Sequence, residues 1–245
     1  MHGSFASLKM TVKLSSQPGS PSLGRVVLLK PGFFNRDPRR AARALLGKLV
    51  VRTTRQGVLA GRIVETEAYL GQGDAAAHSA AGRTARNSVL FGPPGRAYVY
   101  FIYGTHYCLN VSCLPDGVPG GVLFRALEPV SGIEQMAEAR GIEADKETGL
   151  SKISFLKKIS SGPGRLSEAL GVTRARDNGK NLVSPRSDLR IVHDGYRVRR
   201  VMVTPRIGIV KSAEQPLRYF IAGNPFVSGP TTAARNLVKT IVSQT

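Results

Sequence analysis

Apolar and polar positions along the chain follow two different periods, and the two kinds of segment are interleaved. A period near 3.6 predicts a helix at about 38–46. Asp37 is a natural N-cap there, Pro38 suits the first helical position, and Ala41, Ala42, Leu45 and Leu46 form an apolar stripe that stops at Gly47. A second helix is predicted at about 132–140, opened by Ser131 and Glu134 as a capping-box pair and ended by Gly141. A third, near 164–170, follows Gly162-Pro163 and ends at Gly171. Alternating or continuously apolar runs predict strands at 48–53, 58–70, 96–103, 107–113, 121–127, 189–193, 196–204 and 217–222. Asp194-Gly195 between two such runs signals a hairpin. Residues 142–161 hold several lysines and few apolar anchors and read as a mobile loop. The first 24 residues, rich in Ser, Gly and Pro, read as a flexible tail, and residues 25–245 as one domain. The expected fold is α+β: a single compact domain with a curved, mostly antiparallel β-sheet flanked by helices and a protruding β-hairpin.

Composition narrows the setting. A chain of 245 residues can bury a full core without disulfides, and its two cysteines, Cys108 and Cys113, fit a reducing compartment. No apolar run approaches the ~20 residues of a spanning helix, and the first 24 residues lack the apolar stretch of a secretion signal. A cytoplasmic monomer is expected. Lys and Arg number 35 against 16 Asp and Glu, a net charge of +19. The excess is uneven: residues 1–60 hold eleven basic residues and one acidic, residues 61–130 five of each, and residues 131–245 nineteen and ten. Such an excess attracts a polyanion, with salt-dependent binding. A basic solvated surface is the plainer alternative. A membrane surface is disfavoured, because no helix pairs a Lys/Arg face with a broad apolar one.

The segment Gly61-Arg-Ile-Val-Glu-Thr-Glu-Ala-Tyr-Leu70 carries the most candidate chemistry. As a strand it puts Val64, Thr66, Ala68 and Leu70 on one face and Ile63, Glu65, Glu67 and Tyr69 on the other. Two covered carboxylates would need partners. The choice is between a solvated edge and a carboxylate at a pocket rim that holds or activates water. Four of the seven tyrosines, Tyr98, Tyr100, Tyr103 and Tyr107, fall in a hairpin turning near Gly104, where they form either core or base-stacking surface. Arg125 interrupts the apolar run 122–127 and needs a carboxylate partner or bound water; one of the strand carboxylates is a candidate. His2, His78, His106 and His193 are isolated in sequence, so no metal cluster is expected. Gly71-Gln-Gly73 lacks the third glycine and the helix of a nucleotide loop.

Seven segments, in this order, resemble the alkyladenine (3-methyladenine) DNA glycosylase family. They are Leu46-Gly-Lys-Leu-Val, Val64-Glu-Thr-Glu-Ala-Tyr-Leu, Ala77-His-Ser, Tyr98-Val-Tyr-Phe-Ile-Tyr-Gly, Asn110-Val-Ser, Leu123-Phe-Arg-Ala-Leu-Glu-Pro and Ser161-Gly-Pro-Gly-Arg-Leu. The resemblance runs from about residue 30 to 222. It implies a monofunctional, bacterial-type base-excision enzyme that flips alkylated or deaminated purines out of damaged double-stranded DNA, with no cofactor and no metal. It implies Glu67 as the general base that activates water and Arg125 as the residue that holds that water. Tyr69, Tyr100 and His78 match the walls around the flipped base, and Asn110 the residue that crowds the amino group of normal guanine. Tyr103 matches the side chain wedged into the duplex, beside the hairpin tip Thr105-His106, which is smaller and more polar than the bulky residues sometimes found there. Gly162, Gly164 and Arg165 match a contact to the DNA backbone through helix-start N–H groups.

Convergence of Tyr100 and Asn110 on one face requires an odd hairpin turn, expected over 104–106 with Tyr100 opposite Asn110 and Tyr103 opposite Tyr107. Two other readings compete. One is a non-catalytic nucleic-acid-binding protein. The other is an inverting sugar hydrolase using Glu65 and Glu67, whose carboxylates two apart on a strand would stand ~7 Å apart.

Overall fold

A computed structural model of the protein describes residues 11–12, 26–102, 104–143 and 152–229. Along the chain these form β1 (Thr11–Val12), β2 (Val26–Leu28), α1 (Pro38–Leu45), β3 (Leu49–Thr54), β4 (Gly57–Tyr69), β5 (Ala97–Ile102), β6 (His106–Ser112), β7 (Gly121–Ser131), α2 (Ile133–Ala139), α3 (Lys152–Ser160), α4 (Pro163–Ala169), α5 (Arg174–Asp177), β8 (Leu189–His193), β9 (Val201–Thr204) and β10 (Arg218–Ile221). The architecture is α+β. One sheet runs in the order β1-β2-β8-β3-β4-β7-β6-β5, and β10 joins it through β4 and carries β9. Every pairing within it is antiparallel.

The α1 helix starts as its sequence predicts, with the Asp37 carboxylate accepting from the Arg39 N–H at 2.8 Å and Pro38 in the first turn. Its apolar stripe, Ala41, Ala42 and Leu45, lies against β4, β7 and β10, in one buried core with Val64, Ala68, Val99, Val111 and Phe124 of the sheet and Met136, Ile159, Leu166 and Ala169 of the other helices. The helices and their core thus contact one set of strand residues, and the alternate residues are left for the site.

Strand β4 is the hinge of the design. Its first half pairs with β3, from Gly57 opposite Thr54 to Arg62 opposite Leu49. On its second half Glu65, Thr66 and Glu67 pair with Phe220, Tyr219 and Arg218 of β10, while β7 runs along the other edge. The solvated edge considered for residues 61–70 is therefore not what forms: Glu65, Thr66 and Glu67 are fully buried in mid-sheet. The β4–β7 register slips between Ile63 and Glu65, where Val64 is the extra residue, and between Glu65 and Thr66, where Arg125 is the extra residue opposite. Such bulges re-aim side chains. They break the strict alternation expected here, and Ile63 joins Val64 in the main core.

Three local expectations are corrected. Asp194-Gly195 turns the chain but makes no hairpin, because both edges of β8 are already taken by β2 and β3; residues 201–204 pair with β10 instead. The Asp194 carboxylate binds Arg62 at 2.9 Å. Ser131 does not cap α2: it ends β7 and donates to the Val58 carbonyl at 3.1 Å, while Gly132 occupies the cap position at φ 67°. Residues 152–160, within the expected loop 142–161, form α3, whose Ile159 is buried in the core. Of the expected tail, Thr11–Val12 pair with Val27 and Val26 at the sheet edge, and the rest lies outside the described residues.

Candidate active site

The period of two places one set of side chains on the site face: Glu65, Glu67 and Tyr69 from β4, Arg125 from β7, Cys108 and Asn110 from β6, and Tyr98 and Tyr100 from β5. Their strand neighbours Ala97, Val99, Leu109, Val111, Val122 and Phe124 lie in the helix-covered core. The β5–β6 register puts Tyr98 opposite Asn110, Tyr100 opposite Cys108 and Ile102 opposite His106. The intervening turn is odd, as expected, but displaced by one residue. Tyr100 faces Cys108 rather than Asn110, and Tyr107 faces Phe101 rather than Tyr103. Because Cys108 and Asn110 share a face, Tyr100 and Asn110 still converge. Tyr103 lies outside the described residues.

Glu67 is held by three groups. The Ile207 N–H donates to Oε1 at 2.8 Å, the Tyr69 hydroxyl donates to Oε2 at 3.0 Å, and Arg125 Nη1 lies 3.1 Å from Oε1. Burial raises the carboxyl pKa; Arg125, the Ile207 N–H and the Tyr69 hydroxyl each act to lower it, and Glu65 raises it. Burial and the adjoining Glu67 charge push the Tyr69 hydroxyl well above its ordinary value, so it stays a donor. Arg125 Nη1 also approaches the Ile207 carbonyl at 3.5 Å, so a carboxylate, a guanidinium and a carbonyl oxygen meet at one point.

Glu65 has a different surrounding. It accepts from Arg125 Nε at 3.0 Å, Arg218 Nε at 2.6 Å and the Ser228 N–H at 2.6 Å. Arg218 is itself buried and donates to Thr204 Oγ1 and the Ser228 carbonyl. With both oxygens engaged and none of its surface exposed, Glu65 is an anchor for Arg125. The pair of working carboxylates that a sugar hydrolase would need is not formed.

Beside this cluster is a cavity of about 240 Å³, lined by Tyr69, His78, Tyr98, Tyr100, Asn110 and Ile209 among others. It is smaller than the roughly 300–1,000 Å³ of drug-sized sites and suits one planar base better than an extended glycan. Glu67 and Arg125 stand behind Tyr69 and are not among its lining residues. His78 packs edge-on to Tyr100, centroids 4.4 Å apart, and its Nδ1 lies 2.8 Å from the Tyr98 hydroxyl. The Arg86 charge acts on the same hydroxyl and holds its pKa down against the rise that burial causes. Burial and then the Arg86 charge lower the His78 pKa below 6.5. Asn110 Nδ2 donates to the Tyr98 carbonyl at 3.1 Å, which fixes the amide at the cavity wall.

The remaining expected residues sit away from the cavity. Thr105 and His106 are exposed at the hairpin tip. Gly164 lies against the His106 ring, where an added Cβ would stand 2.9 Å from Cγ. The Gly162 N–H donates to the Arg125 carbonyl at 3.0 Å, so it is already engaged within the protein. Arg165 is exposed at the start of α4. Arg86, Tyr98, Ile207, Gly208 and Ile209 were not singled out from sequence as site residues. Ile207 acts through its backbone, which leaves no side-chain signal, whereas Tyr98 was visible as one of the clustered tyrosines.

A family model described as Methylpurine-DNA glycosylase (MPG) matches residues 32–225. A protein of Koribacter versatilis, described as a candidate 3-methyladenine DNA glycosylase, is 64% identical over 208 residues, 85% of this chain and 96% of the relative. Counterparts described in the same words are 42% identical in Burkholderia cenocepacia, over 87% of this chain and 96% of theirs, and 42% identical in Methanocella arvoryzae, over 82% and 96%. The chain belongs to the methylpurine-DNA glycosylase family.

Proposed function

We propose that this DNA glycosylase excises alkylated or deaminated purines, of the 3-methyladenine type, from duplex DNA through a water activated by Glu67. The observation that carries the reading is the buried Glu67–Arg125 contact of 3.1 Å directly behind an aromatic-lined cavity. The damaged nucleotide leaves the stack and its base enters between Tyr69 and the His78–Tyr100 pair, with unstacking easiest where damage has weakened pairing. An electron-poor purine gains from these electron-rich rings. Asn110, fixed by the Tyr98 carbonyl, narrows the cavity against the amino group of guanine.

The water is held where Glu67, Arg125 and the Ile207 carbonyl meet. Glu67 takes its proton, the oxygen bonds to C1′ of the deoxyribose, and the C1′–N9 bond breaks with its electron pair leaving on the purine: a cationic alkylated purine departs as the neutral base, and a deaminated purine departs as an anion that takes a proton from solvent. The products are a free base and an abasic site, and no group of the protein becomes covalently attached to the sugar. The Tyr103, Thr105 and His106 tip fills the gap in the duplex. Arg165 and the backbone at Gly164 approach a phosphate, and the net charge of +19 supports this wider electrostatic hold. The enzyme works as a monomer on DNA in a bacterial cytoplasm; no helix among the described residues is long and apolar enough to cross a membrane.

Incubation with duplexes carrying one hypoxanthine or one alkylated purine, scored for abasic sites, tests this reading. Wild-type protein releases the base, and Glu67→Gln loses release while still binding the duplex. Equal release by both proteins sinks the proposed role of Glu67, and binding without release by either favours the non-catalytic alternative.

A further inference from the structure

Asp74 and Arg206 form an ion pair that the reaction described above does not use. Both side chains are fully buried, and the contact is two-pronged: Nη1 to Oδ2 at 2.5 Å and Nη2 to Oδ1 at 2.8 Å. Burying two charges is costly, and a neutral apolar pair of similar volume is often as stable. What this pair touches therefore matters more than the contact itself. The Asp74 carboxylate also accepts the N–H groups of Leu70 at 3.2 Å and Ala76 at 3.1 Å, so it shapes the turn between Tyr69 and His78. Arg206 donates to the Ala68 carbonyl at 3.0 Å, and its guanidinium carbon lies 4.6 Å from the centroid of the Tyr69 ring. One face of Tyr69 is thereby covered, and the other is left to the cavity. The residue after Arg206 is Ile207, whose N–H donates to Glu67. Two of the three groups that hold Glu67, the Tyr69 hydroxyl and the Ile207 N–H, are thus set by a single guanidinium, and the turn leading to His78 is set by its carboxylate partner.

We infer that the Asp74–Arg206 pair is a positioning clamp for catalysis, fixing the Tyr69 wall and the Ile207 N–H so that Glu67 is held as a base. The inference rests on the glycosylase reading and extends it to two residues that touch neither base nor water. Loss of the clamp weakens the Ile207 and Tyr69 hydrogen bonds to the ionised carboxylate. The charged and titratable groups facing Glu67 are Glu65 and Tyr69 on its own strand, Arg125 from β7, Cys108 from β6, Arg218 paired to it from β10, and Arg206 itself. Only the Tyr69 and Ile207 contacts depend on the clamp, since Arg125 and Arg218 are tied to Glu65.

The test is single-turnover excision of hypoxanthine from a duplex, across the pH range in which each protein stays folded, for wild type, Glu67→Gln, Arg206→Lys and Asp74→Asn. Duplex affinity is measured alongside. The clamp predicts a maximal rate lowered about 10- to 100-fold, the scale of a slight misplacement at the reacting centre. It also predicts duplex affinity within about threefold and an acid limb of the rate profile moved to higher pH, as for a carboxylate losing hydrogen-bond donors. An acid limb that stays in place, or a loss confined to affinity, overturns the clamp while leaving the glycosylase reading intact. If Arg206→Lys does not fold, Asp74→Asn, which keeps the side-chain shape, carries the test with the same outcomes. Wild type without excision, or Glu67→Gln as active as wild type, overturns both.

Discussion

The Arg125 guanidinium spans Glu65 and Glu67, with Nε donating to Glu65 Oε1 at 3.0 Å and Nη1 lying 3.1 Å from Glu67 Oε1. Two carboxylates on one strand face share this one side chain and differ in their other partners. Glu65 also takes Arg218 and the Ser228 N–H and is saturated, whereas Glu67 shares its oxygens with the Ile207 N–H and the Tyr69 hydroxyl at the back of the cavity.

Substitution at the two acids should therefore separate stability from chemistry. Glu65→Gln leaves Arg125 and Arg218 buried without their shared anion, a loss of about 3–5 kcal/mol in stability by the usual cost of breaking a buried pair. Glu67 has a raised pKa, so its ionisation opposes folding at neutral pH. Glu67→Gln removes that opposition, and its thermal midpoint is expected to match or exceed that of wild type while excision is lost. Paired thermal melts and excision assays check the contrast.

Tyr69→Phe keeps the ring against Arg206 but removes the hydroxyl that donates to Glu67. That donor favours the ionised acid, so its loss raises the Glu67 pKa further. In the proposed role Glu67 acts only when ionised, so activity should be lost as pH falls through this pKa. The acid limb of the excision profile should therefore move to higher pH, with a maximal rate lowered about tenfold, within the range of general-base effects. An unmoved limb would show that the hydroxyl does not tune Glu67.

His78 should be neutral at pH 7 and titrate below 6.5, because burial and the Arg86 charge both disfavour the imidazolium. Arg86→Gln removes the second cause. NMR titration of the ring should show the midpoint rising toward the ordinary value in that variant. A neutral unfolded-like value in the wild type would contradict the described packing.

At the hairpin tip, Gly164→Ala places a Cβ 2.9 Å from His106 Cγ and 3.0 Å from His106 Cβ. Crowding of this kind costs about 1–3 kcal/mol. Thermal melts should show that loss, and His106→Gly in the same chain should restore most of it. A lowered duplex affinity in Gly164→Ala, recovered or not in the double variant, reports whether the tip's placement matters for DNA.

Wherever local chemistry decides, the chain is readable without coordinates. Asp37-Pro38 specifies the start of α1 because the cap and the fixed proline φ act within one turn. The alternation across 64–69 specifies that Glu65, Glu67 and Tyr69 share a face, since side chains alternate in any strand. The odd hairpin follows from the need for Tyr100 and Asn110 to converge. Sequence could not say that β8 has both edges filled, which is why Asp194-Gly195 makes no hairpin, nor that Ser131 ends a strand instead of capping a helix. It could not pair Arg125 with Glu67 across 58 positions or recruit Asp74 and Arg206 to the back of Tyr69. Those contacts depend on which strands become neighbours and on two opposed bulges, at Val64 and Arg125, that turn the guanidinium toward the acids. Residue type and spacing are local properties and determined the chemistry available, whereas burial, partner and proton affinity belong to the assembled sheet, which decided which carboxylate two arginines saturate and which one adjoins Tyr69 at the cavity wall.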